Sequence, residues 1–118
     1  MKFVVSATPS LNVLKGKWAC LNWKKKYHQE LRNYNLFAPK EKVKTTMTIQ
    51  RFGSRILDLD NYHGGCKPLI DCLKEIKYIV DDRPEWCEII FLPQVKTTRY
   101  FRKTEIEISR YKTSNEKF

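Results

Sequence analysis

Four aspartates and a lysine carry the most suggestive chemistry in this chain. Asp58 and Asp60 stand two apart in "ILDLDNYHGGCK", and Asp81 and Asp82 close the stretch "IKYIVDD". In an extended segment side chains i and i+2 point to one side, so Asp58 and Asp60 are expected to face one cation together. Hard divalent ions take oxygen ligands; Mg²⁺ usually accepts one or two carboxylates and fills its shell with water and phosphate. A turn after the second helix is expected to bring Asp81, Asp82 or both back toward the first pair. Asn61 is placed to hydrogen-bond a ligand carboxylate or to donate to a phosphate. Lys67 opens a helix where its charge can reach a phosphate, and Asp71, four residues on, is placed to pair with it. Each motif also has an ordinary reading. DxD and DD pairs are common in turns, Asp81-Asp82 before Pro84 suits the start of a loop, and a lysine at a helix start is often solvated surface.

The elements that must position these groups follow from periodicity. Residues 1 to 8 favour a strand, and Pro9, Ser10 and Asn12 mark a turn. From Trp18 to Tyr34, "WACLNWKKKYHQELRNY" reads as a helix with Trp18, Leu21, Tyr27, Leu31 and Tyr34 on one face. Pro39 ends it, and "PKEK" reads as a loop. "VKTTMTIQRF" alternates at Val43, Thr45, Met47 and Ile49, as a half-buried strand does. Ile56-Leu57 either extends that sheet or begins another strand. The run from Cys66 to Tyr78 predicts a second helix burying Cys66, Leu69, Ile70, Leu73 and Ile76, with Pro68 tolerated in its first turn. "EWCEIIFLPQVKTTRYF" and "TEIEISRYK" supply a broken strand and a final one; residues 113–118 read as a polar tail. The β-α-β-α-β-β order predicts a single α+β domain over residues 1–118, with a mixed sheet and two main helices.

Composition narrows the partners. The 23 Lys and Arg against 13 Asp and Glu give a net charge of +10, and the pI is near 9.6. Such a surface attracts polyanions, nucleic acid first and anionic membrane second. The candidate DNA-contacting patches are Lys24, Lys25 and Lys26, and then Lys96, Arg99, Arg102 and Lys103; each also reads as an ordinary solvated face. Neither helix joins a basic face to a broad aromatic and leucine face, which argues against a membrane-surface role. No run reaches the roughly 18 apolar residues of a bilayer span, and "MKFVVSATPSLNV" reads as a first strand rather than a secretion signal. The cysteines Cys20, Cys66, Cys72 and Cys87 form no CxxC pair, and His28 and His63 fall at no ligand spacing from them. Reduced cysteines acting as small hydrophobes are expected, and no zinc site.

The series D-x-D-N, then G-G-x-K-P-x-I-D-x-L, then D-D-x-P-x-W resembles the RusA-type Holliday junction resolvases, particularly their phage and prophage relatives. "PSLN" at 9 to 12, followed by Trp18, resembles the amino-terminal segment of those relatives, so the resemblance covers most of the chain. "YHGGC" makes the gap from Asp60 to Lys67 longer than in the shortest bacterial members. The resemblance implies a homodimeric endonuclease, dependent on Mg²⁺ or Mn²⁺ and no small-molecule cofactor, acting on branched DNA in the cytoplasm of a bacterium or a phage-infected one. Position by position it implies that Asp58, Asp60 and Asp82 are metal-binding catalytic acids, Asp81 an accessory acid and Lys67 the catalytic lysine. The alternatives are a non-catalytic DNA-binding protein of the same fold and a nuclease of broader flap or fork specificity. Phosphate contacts position a protein without reading bases, so junction selection would rest on shape and on two-fold symmetry.

Overall fold

The computed structural model describes residues 1–34, 36, 38 and 41–112; the expected tail at 113–118, and Pro39 and Lys40 of the expected loop, lie outside the described residues. Along the chain run β1 (Lys2–Val5), α1 (Lys17–Leu31), β2 (Thr45–Gly53), α2 (Leu59–Gly65), α3 (Lys67–Glu75), β3 (Cys87–Phe91), β4 (Val95–Lys96) and β5 (Lys103–Arg110). Short 3-10 turns occupy Leu11–Leu14, Arg32–Tyr34 and Arg99–Phe101. This is the expected α+β order with a mixed sheet.

The strands lie in the order β1-β5-β2-β3, with the short β4 beside the far end of β2. β5 is antiparallel to both β1 and β2, while β3 and β4 are parallel to β2. β1, β2 and β3 therefore point the same way, and the two crossovers, through α1 and through α2–α3, step in the same direction across the sheet. Parallel crossovers are right-handed, so both helical units cover one face, and α1 packs on α3. β2 records this asymmetry: Thr45, Met47, Ile49, Arg51 and Gly53 are buried, and the residues between them are only half-buried. Met47 and Ile49 meet Phe3 and Val5 from β1, Tyr27 and Leu31 from α1, Leu69 and Leu73 from α3, and Ile106 and Ile108 from β5. Cys66, Cys72 and Cys87 are buried in that core as free thiols.

Two local departures bear on the site. The second helical unit begins earlier than periodicity suggests, because residues 59–65 form α2, and Ile56 and Leu57 join no strand. Asp58 starts α2 by accepting the backbone N–H of Asn61, the bond expected of an aspartate cap. The paired glycines sit inside α2, where that helix presses on the segment after β1. A Cβ at Gly65 would overlap the Pro9 carbonyl oxygen.

Candidate functional site

Asp58 is extended (ψ 163°), but Leu59 and Asp60 are already helical. The expectation that Asp58 and Asp60 share one face of an extended segment is therefore corrected: Asp58 caps the helix and Asp60 lies in its first turn, about 100° further round per residue. Both remain exposed. Asn61 grips Asp58 twice, its backbone N–H 2.9 Å from Oδ1 and its Nδ2 2.8 Å from Oδ2. The Asn61 side-chain oxygen in turn accepts the Asn12 N–H at 3.3 Å, tying the "PSLN" segment to "DLDN". These bonds from Asn61, backbone first, hold the Asp58 carboxyl below its ordinary value and so keep it ionised.

Asp81 and Asp82 already have cationic company. Lys74 Nζ lies 3.5 Å from Asp81 and 3.2 Å from Asp82, and Arg83 Nε donates to Asp81 at 2.8 Å. Asp82 Oδ1 and its Asp81 neighbour also raise the Lys74 amine, the hydrogen bond to Asp82 most of all. Asp81 is held down to about 2 by its hydrogen bonding with Asp82, whose backbone N–H donates to Oδ1 at 2.7 Å, and by Arg83 and Lys74. A depressed carboxyl favours the folded state above its unfolded value of 3.8, and that advantage is lost as pH falls from there toward 2. A carboxyl ¹³C titration is expected to place the Asp81 midpoint near 2; a midpoint near 4 would mean the clamp does not form in solution.

The two acidic pairs do not meet within one chain. Leu57 exchanges two hydrogen bonds with the Gln94 side chain, at 3.0 and 2.7 Å, next to Val95, which pairs with Phe52 at the carboxyl end of β2. Asp82 instead shares a shallow depression with Lys44 and Cys87, and Cys87 pairs with Thr45 at the amino end of β2. α2 and α3 carry the chain back between those two ends. The turn after α3 thus leaves Asp81 and Asp82 at the opposite end of the sheet from Asp58 and Asp60. Among the described residues no three His, Cys, Asp or Glu side chains group closely enough to hold one ion. Lys67 lies between the ends, exposed, with Asp71 Oδ1 3.5 Å from its amine, the pairing that the four-residue spacing predicts.

The basic residues divide. Lys24 is ion-paired with Glu75, which also takes His28 at 2.7 Å. Lys25 and Lys96 are exposed. Lys103 pairs with Glu105 at 2.9 Å and lies over the Phe52 ring, on the sheet face away from the helices. Lys26, Arg99 and Arg102 converge on a cavity of about 460 Å³ at the carboxyl ends of β1 and β2, where Arg51 and Arg55 join them. Arg51 was not among the sequence candidates, yet its signal lay in the alternation: it continues the buried phase of Met47 and Ile49, where an apolar residue belongs. Arg55 and Trp23 carried no such signal, since only the fold brings them to that cavity.

The chain matches no family model, and no curated protein is significantly similar to it. No helix among the described residues is long and apolar enough to cross a membrane.

Proposed function

We propose that the chain is an endonuclease for branched DNA, with the four-way junction as substrate, acting in the cytoplasm of a bacterium or a phage-infected one as a homodimer dependent on Mg²⁺ or Mn²⁺. The observation that carries this reading is the start of α2. Asp58 and Asp60 are both exposed there, and Asn61 fixes Asp58 in its ionised form. Carboxylates kept charged would repel DNA on their own, and the chain's +10 excess supplies the opposing attraction. Lys67, steadied by Asp71, offers a positive charge to the extra negative charge of a phosphoryl transition state.

A metal held by Asp58, Asp60 and Asp82 does not fit one chain, because Asp82 stands at the other end of the sheet. The reading therefore requires a two-fold pair in which Asp82 of each copy approaches Asp58 and Asp60 of the other. Ile56 and Leu59, which flank Asp58 and are 54% and 68% exposed, give that approach an apolar surface to bury.

The test is incubation of the purified chain with a synthetic four-way junction in Mg²⁺ or Mn²⁺, beside linear duplex, flap and fork. Paired symmetric nicks confined to the junction, and stopped by EDTA, are the expected result. Equal cutting of flaps and forks keeps the nuclease and broadens its target. Binding without cleavage in either metal overturns the catalytic reading. One observation favours that second reading, a non-catalytic DNA-binding protein: Lys74 and Arg83 already pair with Asp81 and Asp82 within a single chain.

A further inference from the structure

The cavity at the carboxyl ends of β1 and β2 gathers five cationic side chains, Lys26, Arg51, Arg55, Arg99 and Arg102, and among the described residues no Asp or Glu lines it. Four separate parts of the chain build it, and α1 supplies Trp23 and Lys26. The segment after β1 supplies its backbone wall, the end of β2 supplies Arg51 and Arg55, and the turn before β5 supplies Arg99 and Arg102. Antiparallel pairing brings the last of these in, since Thr104 lies opposite both Val5 and Arg51.

Arg51 is the decisive member. It is only 9% exposed, yet among the described residues its guanidinium forms no ion pair with any carboxylate. Its Nε donates to the Thr8 carbonyl at 2.7 Å and its Nη1 to the Arg55 carbonyl at 3.0 Å. Those neutral acceptors aim the group without cancelling its charge. Thr8 is itself fixed, its N–H donating to Thr104 Oγ1 at 2.9 Å. The guanidinium lies against Gly53, where a Cβ would displace it. Burial pulls the guanidinium below its ordinary value. A buried cation with no counter-ion is costly unless an anion arrives to pair with it.

We infer that this cavity binds a backbone phosphate of an unpaired nucleic-acid strand, with Arg51 at its floor, Arg55, Arg99 and Arg102 at its rim, and Trp23 as the wall for the adjoining sugar or base. The planar guanidinium fork suits two phosphate oxygens at once. Trp23 lines the cavity with Lys26 Nζ 5.0 Å from its ring, and base stacking on an aromatic face is tolerant of sequence. The cavity has the volume of a small-molecule site, in the range of roughly 300–1,000 Å³, which admits one nucleotide unit and excludes a double helix. Leu57 also lines it, so a strand held here leaves beside Asp58. The site stands without any cleavage, because its binding is read with divalent metal removed.

The experiment measures binding of a fluorescein-labelled twelve-residue oligothymidylate to the full chain in EDTA, by anisotropy. Arg51→Met and, separately, Arg102→Met are each expected to weaken binding about tenfold, as loss of a charged hydrogen bond does. Arg110→Met removes the same charge at the other end of the sheet, opposite Thr45, and is expected to cost about twofold or less. The dinucleotide TpT, with one phosphodiester, should compete with the oligomer, and thymidine should not. The inference is overturned if Arg51→Met and Arg102→Met weaken binding no more than Arg110→Met. It is also overturned if inorganic phosphate competes as well as TpT, which would make this a free-anion site, or if thymidine does. Should Arg51→Met not fold, Arg55→Met and Arg102→Met, at exposed rim positions, carry the same comparison.

Discussion

Mixed in equal amounts and allowed to exchange partners, Asp60→Asn and Asp82→Asn chains are expected to nick a four-way junction that neither variant nicks alone. The expectation follows from the separation of the two acids along the crossover. Asp60 sits in the first turn of α2, while Asp82 lies beside Lys74 at the end of α3. If two copies complete each other's sites, a mixed pair holds one site with both substitutions and one with neither. Each variant alone should fall on the order of 100-fold or more below wild type, the scale of losing charge stabilisation worth several kcal/mol. Random assortment makes about half the pairs mixed, with one of their two sites intact, so about a quarter of the wild-type sites return. The product is equally diagnostic. A mixed pair cuts one strand and leaves a nicked junction, whereas wild type resolves it into two duplexes. If the acids acted within one chain, every site in the mixture would carry a substitution and no activity would return.

The second large effect is on folding. Gly65→Ala is expected to destabilise the chain by about 3 kcal/mol or more, the upper end for overpacking against atoms that cannot move aside. The new methyl would meet the Pro9 carbonyl oxygen, which is backbone, and Pro9 is buried between β1 and α2. At this chain length the loss corresponds to a drop in Tm of roughly 10–15 °C. Gly64→Ala is the internal control. Its Cβ would approach the Leu11 methyls, nearest at 2.8 Å, and the Leu11 Cβ at 3.1 Å; Leu11 is 45% exposed, so the methyls can swing away and the Cβ has only a few tenths of an ångström to give. There the helix gain of alanine over glycine, about 1 kcal/mol, offsets the contact. Thermal melts of the two variants should therefore separate widely. Equal Tm values would mean that α2 does not dock on Pro9, and with it the Asn12–Asn61 contact that steadies Asp58 would be lost.

The elements were legible in the sequence wherever a short-range rule governs them. The stripe of Leu69, Ile70 and Leu73 marked α3, and the alternation through Met47 and Ile49 marked β2 with its single buried face. The i,i+4 spacing of Lys67 and Asp71 was enough to foresee their ion pair. α2 was hidden because its length includes Gly64 and Gly65, poor helix formers by propensity. Packing on Pro9 overrides that propensity, and the partner of that packing lies more than fifty residues earlier in the chain.

By itself, then, the sequence determined the α+β order and the chemistry of the acids and cations, because helical and strand periods act over a few residues. Only the tertiary structure decided which groups share a neighbourhood. A crossover helix runs antiparallel to the strands it joins, so the acids at its two ends are carried apart by its full length. The same sheet draws Arg51, Arg55, Arg99 and Arg102 together, because antiparallel pairing starts β5 at the end where β1 and β2 finish. Distances of that kind depend on the direction of return and on strand pairing, and residue spacing along the chain carries neither.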